Sequence, residues 1–544
     1  MKKLCATIVI ALISIHSFAQ APNWAWAKSA GGTTGNVGYS IAIDAAGNTY
    51  ITGSFGDSTI TFGTTTLTNS GADDIFIAKY DANGNIVWAK SLGGTDYDYG
   101  GGIALDTAGN TYITGSFNSP SMPFGTTTLT NNGSDDIFIA KYDTNGNALW
   151  ATTAGGVASD RGNSIKTDAA GNTYITGQFY SPTITFGTTT LTNNGNYDVF
   201  IAKYDANGNV VWAKSVGGTS DDFGRSISVD ASGNSYITGG FSGPTITFGA
   251  TTFTNLGNED IFIAKYDANG NVLWAKSAGG TSIDFGYGIA LDAIGNTYIT
   301  GYFQSPTITF GVNTLTNNGS TNILIVKYDT NGNIVWAKSA GGNDSDIGNS
   351  IATDAAGNTT ITGYFGSPTI TFGATTLANN GGGDIYIAKF DTNGNVLWAK
   401  SAGGNNYDAA YSIAIDAVGN AYLTGHFQSP AITFGATTLT NNSDGYSNVF
   451  IAKLDGTTGI AEMEKGETVL LAPNPFTSQL SISFNEAQKN TSIKLMNTLG
   501  ECIQQLTTSN QQLILDMSSF ARGMYFVQIT DANKNVVNKK VIKE

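Results

Sequence analysis

The sequence predicts an all-β fold, a seven-bladed β-propeller followed by a small Ig-like β-sandwich, and three observations lead there. Tryptophans recur every 62 residues, at Trp26, Trp88, Trp150, Trp212, Trp274, Trp336 and Trp398, and a fixed period of this length marks a propeller, solenoid or array. Each period holds four short segments of alternating polarity separated by Gly/Asn/Asp turns, which is the pattern of one antiparallel blade. The repeats begin on a fourth-strand segment (Trp24 to Ser29) and end on a third-strand segment (Val449 to Leu454). The first segment can therefore complete the last blade and remove the exposed edges of an open array.

The unit from Tyr39 to Ser91 shows the design. Ser40 to Asp44 alternates small or polar with apolar residues, and Thr49 to Phe55 alternates again. A Thr-rich ribbon follows (Thr59 to Gly63 and Thr64 to Thr68), then Asp74 to Tyr80 and the Trp-bearing strand Ile86 to Ser91. The ribbon is expected on the same face as the connections between blades, with both tight turns on the other face. An open solenoid is the rival architecture, but it would want capping repeats at both ends.

The turns have a chemistry of their own. Asp-x-x-Gly-Asn recurs from Asp44 to Asp416, and Asp-x-Asn-Gly-Asn from Asp81 to Asp391. Gly and Asn accept positive φ, and Asp caps the turn through the backbone. The second motif superficially resembles a calcium loop, but it lacks the downstream bidentate Glu and joins strands rather than helices.

These segments resemble the bacterial seven-bladed β-propeller repeat labelled SBBP. The residues that carry the resemblance are Gly-Asn-Thr-Tyr-Ile-Thr-Gly, Asp-Ile-Phe-Ile-Ala-Lys-Tyr-Asp and Gly-Asn-Ile-Val-Trp-Ala-Lys-Ser, across roughly residues 24 to 455. It implies a propeller and no shared activity. The ribbon (Pro182 to Asn193 in the third copy) makes each unit longer than a minimal blade.

Beyond a polar linker (457–468) the composition shifts toward Gln, Leu, Ile, Met and Lys. Short strands are expected over Leu480 to Phe484, Ser492 to Met496, Leu513 to Met517, Gly523 to Ile529 and Lys539 to Lys543. Residues 469–544 resemble the type A sorting domain of type IX secretion. The matching positions are Pro473, Asn474 and Pro475 with Phe476, Gly500 in Asn-Thr-Leu-Gly-Glu, and Gly523 and Tyr525 in Gly-Met-Tyr-Phe-Val. The resemblance implies the type IX machinery as partner, export to the surface, removal of the domain, and release or attachment.

At the other end, Lys2 and Lys3 precede a short apolar run, and Ser17-Phe18-Ala19 supplies small residues before a cleavage between Ala19 and Gln20. This is the pattern of a secretory signal peptide over residues 1–19, which leaves 20–456 as the propeller. No later segment approaches the apolar length of a membrane-spanning helix.

Composition excludes several functions. A net charge of −15 argues against nucleic acid, whose binding needs Lys/Arg patches that release counterions. Cys5 and Cys502 are the only cysteines, so the mature chain holds no intrachain disulfide. Between residues 20 and 455 the only His is His426, the only Glu is Glu259, and the only Arg residues are Arg161 and Arg225. Triad chemistry lacks its parts, no catalytic residue is assigned, and His426 reads as a variant strand residue. No cofactor is expected, with calcium as the one possible exception.

One repeated feature suggests a ligand. An Asp follows each Gly-Gly pair, at Asp98, Asp160, Asp222, Asp284, Asp346 and Asp408, with Asn36 in the first copy. Near the axis these would form a ring of carboxylates for cations or a polar ligand. The competing reading makes each one a backbone cap between blades. Tyr80, Tyr142, Tyr204, Tyr266, Tyr328 and Phe390 read as packing residues rather than a glycan platform. Functionally, the sequence favours a secreted or surface scaffold with multivalent contacts to glycan, protein or envelope. A carbohydrate-active hydrolase or lyase with a site on the axis, and a spacer without ligand, are the alternatives.

Overall fold

The computed structural model describes residues 22–441, 443, 445–456, 469–472, 478–484, 491–497, 502–532 and 536–543. The expected signal peptide and its cleavage site at Ala19 and Gln20 lie outside them, as do the linker and the motif residues Pro473, Asn474, Pro475 and Gly500. The chain separates into two compact units, one to Thr457 and one from Thr458.

Among the described residues the first unit contains seven four-stranded antiparallel sheets. In the first, the strands Asn36–Ile43, Thr49–Phe55, Asp74–Tyr80 and Ile86–Leu92 follow one another from axis to rim. The innermost strands pack in sequence, each on the next, and Asn36–Ile43 also packs on Asp408–Ile415, which closes the ring. The seventh sheet takes its outer strand from the beginning of the chain: Trp24–Ala30 pairs antiparallel with Asn448–Leu454, Ala27 opposite Ala452 and Ala30 opposite Val449.

The periodic sequence explains the packing. The second and third strands are buried along almost their whole length, Lys79 being the half-buried exception in the first copy, because both faces of each sheet are covered by neighbouring sheets. In each innermost strand a bulge breaks the register after its third residue, between Gly38 and Ser40 in the first copy. The next amide is left to a neighbour, and Ile41 N–H donates to Ser412 Oγ at 3.3 Å.

The tryptophans bridge sheets at the end that carries the tight turns. Trp26 Nε1 donates to Ala82 O at 3.2 Å, and Trp88 Nε1 to Thr144 O at 3.2 Å. The indole lies against the turn glycine. Gly84 has φ 77°, and a Cβ there would meet Trp26 Cδ2 at 2.8 Å, so this turn position admits only glycine without movement. The tyrosines beside these turns are core, with Tyr80 and Tyr204 buried.

The Thr-rich ribbon corrects the expectation that it shares a face with the connections between sheets. It leaves the second strand at that end, then doubles back along the outside of the ring. In the third copy the hairpin Thr183–Phe186/Thr189–Thr192 touches both the fourth strand of its own sheet, Val210–Val216, and that of the preceding sheet, Ala148–Ala154. Ile184, Phe186 and Leu191 point inward and are buried, while Thr183, Thr185, Thr190 and Thr192 face out. Sheets that radiate from an axis diverge toward the rim, and the ribbons fill the gaps with one apolar face each.

In the second unit, two antiparallel sheets share one core of Leu480, Ile482, Ile493, Leu495, Leu515, Val527 and Val541. Two strands were missed by sequence, Val469–Ala472 and Cys502–Thr508. The second is a sheet edge with mostly exposed residues, so it lacks an apolar alternation to read. Gly523 opens the strand Gly523–Thr530, and the Tyr525 hydroxyl donates to Ala521 O at 2.6 Å.

If the ribbons are wedges, their two faces respond differently to truncation. Phe186→Ala is expected to destabilise the ring by about 3–5 kcal/mol, and Thr185→Ala by less than about 0.5 kcal/mol. Chemical denaturation of the full chain measures both, and equal losses would refute the wedge.

Candidate functional site

The repeated Asp residues stand where the sequence places them, each as the first residue of an innermost strand. Their side chains do not face the axis. Asp98, Asp160, Asp222, Asp284, Asp346 and Asp408 are 0% exposed. Asp98 Oδ2 accepts from Gly94 N at 2.8 Å and from Ser119 Oγ at 2.8 Å. The same pair of bonds holds Asp160, Asp284, Asp346 and Asp408. The first copy shows that the carboxylate belongs to the loop. There Asn36 takes the Asp position and Asp57 the Ser position, with Asn36 Nδ2 donating to Asp57 Oδ2 at 2.7 Å and Thr33 and Thr34 amides to Asp57 Oδ1. The charge has moved to the partner, and the cap survives. An axial carboxylate ring is therefore replaced by seven buried loop caps.

The tight-turn Asp residues are likewise engaged. Asp44 Oδ1 accepts from the amides of Ala46 and Asn48, and Oδ2 from Asn48 Nδ2 and the Tyr50 hydroxyl. Among the described residues no group of three or more His, Cys, Asp or Glu side chains gathers to hold a metal.

The axis carries a different site. An axial cavity of about 460 Å³ runs along the innermost strands, with a wider mouth of about 590 Å³ at the end opposite the tight turns. That size suits a small ligand, for which cavities of roughly 300–1,000 Å³ are usual. Here the repeats stop being alike. One position of the innermost strand is Tyr39, Gly101, Asn163, Arg225, Tyr287, Asn349 and Tyr411 around the ring, and all seven line the mouth. A second position, two residues earlier, is Val37, Tyr99, Arg161, Phe223, Phe285, Ile347 and Ala409. A third, on the second strand, is Ser54, Ser116, Gln178, Gly240, Tyr302, Tyr364 and His426. A fourth, just before the third strand, is Asp73, Asp135, Tyr197, Glu259, Thr321, Gly383 and Ser447.

These variable residues touch one another. Tyr197, Phe223, Phe285, Tyr302 and Tyr287 form a chain of ring contacts, with Phe285 and Tyr302 stacked at 6.2 Å. Across the mouth, Tyr364, Tyr407, His426, Tyr411 and Tyr39 form a second chain at 4.9–5.9 Å. His426 is nearly buried, its Nδ1 meets no partner, and burial pushes it down to about 4, so the imidazole is neutral. It belongs to this aromatic cluster, a role the reading as a plain strand variant missed.

The arginines, the glutamate and the histidine of the ring, Arg161, Arg225, Glu259 and His426, thus all fall at this end. A position-by-position comparison of the repeats would have found them.

The buried carboxyls make stability depend on pH. Burial pushes Asp98, Asp136, Asp198, Asp260 and Asp384 up to about 6, and Asp222 up to about 7. A raised carboxyl stabilises the fold fully below its unfolded value of about 4, and that contribution is lost as pH rises through the folded value. The melting temperature of the full chain is therefore expected to fall as pH rises from about 5 to about 8. A flat or rising profile would contradict the burial of these groups.

Comparison with known proteins agrees with the architecture. Residues 471–544 match the secretion system C-terminal sorting domain, and residues 87–120 and 211–239 match the beta-propeller repeat family SBBP. Neither is an enzyme family. An uncharacterized WD repeat-containing protein of Acanthamoeba polyphaga mimivirus is 29% identical over 452 residues, 68% of this chain and 32% of its own length. The regulatory protein FlaEY of Caulobacter vibrioides is 26% identical over 142 residues, 26% of this chain and 15% of its own. The chain spans about a third or less of these curated relatives.

Among solved structures, a fungal alcohol oxidase of the AA5 family in complex with copper aligns at 13% identity and a TM-score of 0.40, covering 96% of this chain and all of the other. PorZ, a surface component of the type IX secretion system of Porphyromonas gingivalis, aligns at 9% identity and a TM-score of 0.23, covering 95% of this chain and all of its own. Likeness at these scores carries no activity across. No helix among the described residues is long and apolar enough to cross a membrane. The sorting domain indicates secretion and a place at the cell surface or outer membrane, and implies contact with the secretion machinery. The chain is thus an exported surface protein built from β-propeller repeats, with a type IX secretion sorting domain at its C-terminal end.

Proposed function

We propose that this exported propeller is a glycan-binding protein, and that its ligand enters the asymmetric mouth of the axial channel. The observation that carries this reading is the concentration of aromatic variety at one place. Tyr39, Tyr99, Tyr287 and Tyr411 line the mouth half-buried, beside the amides of Asn163 and Asn349. Sugar rings present apolar C–H faces with hydroxyls at the edges. Aromatic faces with side-chain amides between them match both. Among the described residues the ribbons expose threonines, and the tyrosines at the tight turns are core.

This narrows the multivalent scaffold that the sequence suggests. Seven similar outer walls would bind seven times weakly, whereas the mouth is a single site formed jointly by all seven sheets. Tyr287→Ala, Tyr411→Ala and Tyr39→Ala in the full chain are each expected to weaken binding on a glycan array by about tenfold, as removing one stacking ring costs about 1–1.5 kcal/mol. The outer-wall variant Thr185→Ala should bind as the native chain does. Loss of binding at Thr185 with none at the tyrosines would move the site to the ribbons.

A further inference from the structure

The charge of the channel differs from that of the chain. The chain carries −15, yet the charged residues that line the channel and its mouth are Arg161, Lys166 and Arg225, with no carboxylate beside them in the lining. Position 166 is Ala or Ser in the other six copies, so the lysine is a departure from the repeat, as both arginines are.

The three cations are differently engaged. Arg161 already has its anion: its Nη2 donates to Asp135 Oδ2 at 3.0 Å and its Nε to the same oxygen at 3.2 Å. Lys166 keeps contact with solvent inside the channel, where the surrounding protein lowers its ammonium. Arg225 is unfinished. Its guanidinium stands 5.3 Å from the Phe223 ring, 5.3 Å from Phe285 and 5.9 Å from Tyr287. Its Nε is buried without an acceptor. No carboxylate oxygen among the described residues lies within 4.0 Å of its nitrogens.

Aromatic faces hold a guanidinium by its plane and leave its edge donors free, and that forked edge fits a planar carboxylate with two parallel bonds. The nearby acids compete weakly. Burial pushes Glu259 up to about 7 against the attraction of the Arg225 charge, which is felt without a direct ion pair, and its Oε1 also lacks a partner. Asp221 acts on Glu259 only at charge-charge range. A guanidinium donor buried without an acceptor is costly, and a ligand anion at the guanidinium edge relieves part of that cost.

We propose that the mouth takes an acidic glycan, with a uronate carboxylate seated on Arg225 and the sugar rings on Tyr287 and its neighbouring tyrosines. The proposal rests on the glycan reading above and names the ligand's class. Phosphate and sulfate would use the same cation, but the planar fork framed by rings favours the planar carboxylate.

Calorimetric titration of the full chain with galacturonate, glucuronate and mannuronate trisaccharides, each beside its carboxyl-reduced form, tests it. The expected result is at least one acidic trisaccharide bound about tenfold or more tighter than its reduced form. Arg225→Gln is expected to erase that preference while the melting temperature holds. Equal binding of acidic and reduced forms would overturn the carboxylate assignment and leave the glycan reading intact. Binding of neither, with a blank glycan array, would overturn both. Should Arg225→Gln fail to fold, the comparison of acidic with reduced ligand on the native chain decides alone.

Discussion

Every other feature of the ring depends on one strand pairing. Trp24–Ala30 supplies the outer strand of a sheet whose other three strands lie near the end of the repeats. Without it, the seventh sheet would present an open edge, with hydrogen-bonding groups free to recruit other chains. With it, the first and last copies face each other across the same kind of interface as any other pair. Closure also ties distant sequence together, so the seam forms only after about four hundred residues of chain are available, a separation that slows folding.

A closed ring of like units constrains each unit equally. The Trp bridge, the bulged innermost strand, the buried carboxyl cap and the ribbon wedge all sit at contacts that recur around the ring. A change at any of them must suit two neighbours at once, which explains their near-identity in the sequence. Residues that point into the axial channel or over its mouth are freer of this rule, since they face the open axis as well as a neighbour. Variation collects there for a geometric reason, and so does the capacity to recognise something.

Much of this was readable from the chain. Seven tryptophans in register, the Gly-Asn turns and the offset start and finish follow from local periodicity, and local periodicity is what a sequence displays. The ribbon's position was not readable. Its alternation of Thr with Ile, Phe and Leu shows one apolar face, but not which surface receives it, and here the receiver is the gap between two other sheets. The Asp residues were placed correctly along the chain, and of their two readings the backbone cap holds and the axial ring does not; spacing leaves both open, because it gives a residue's position in a strand and not its direction within a connection. Asn36 was legible as a departure, but its exchange with Asp57 needed both side chains in view. The mouth was missed because Arg161, Arg225, Glu259 and His426 are scattered singly over some 265 residues, and singletons look like noise until the ring brings them together.

The division between constrained interfaces and a free mouth gives the repeat a modular character. Because neighbouring units share contacts, one copy can replace another by recombination within the gene without disturbing the walls. Each exchange then shuffles which side chains meet at the axis. A lineage could explore new ligand surfaces by reordering parts it already has, retaining a stable scaffold at every step, much as a combination lock changes its code by turning identical wheels.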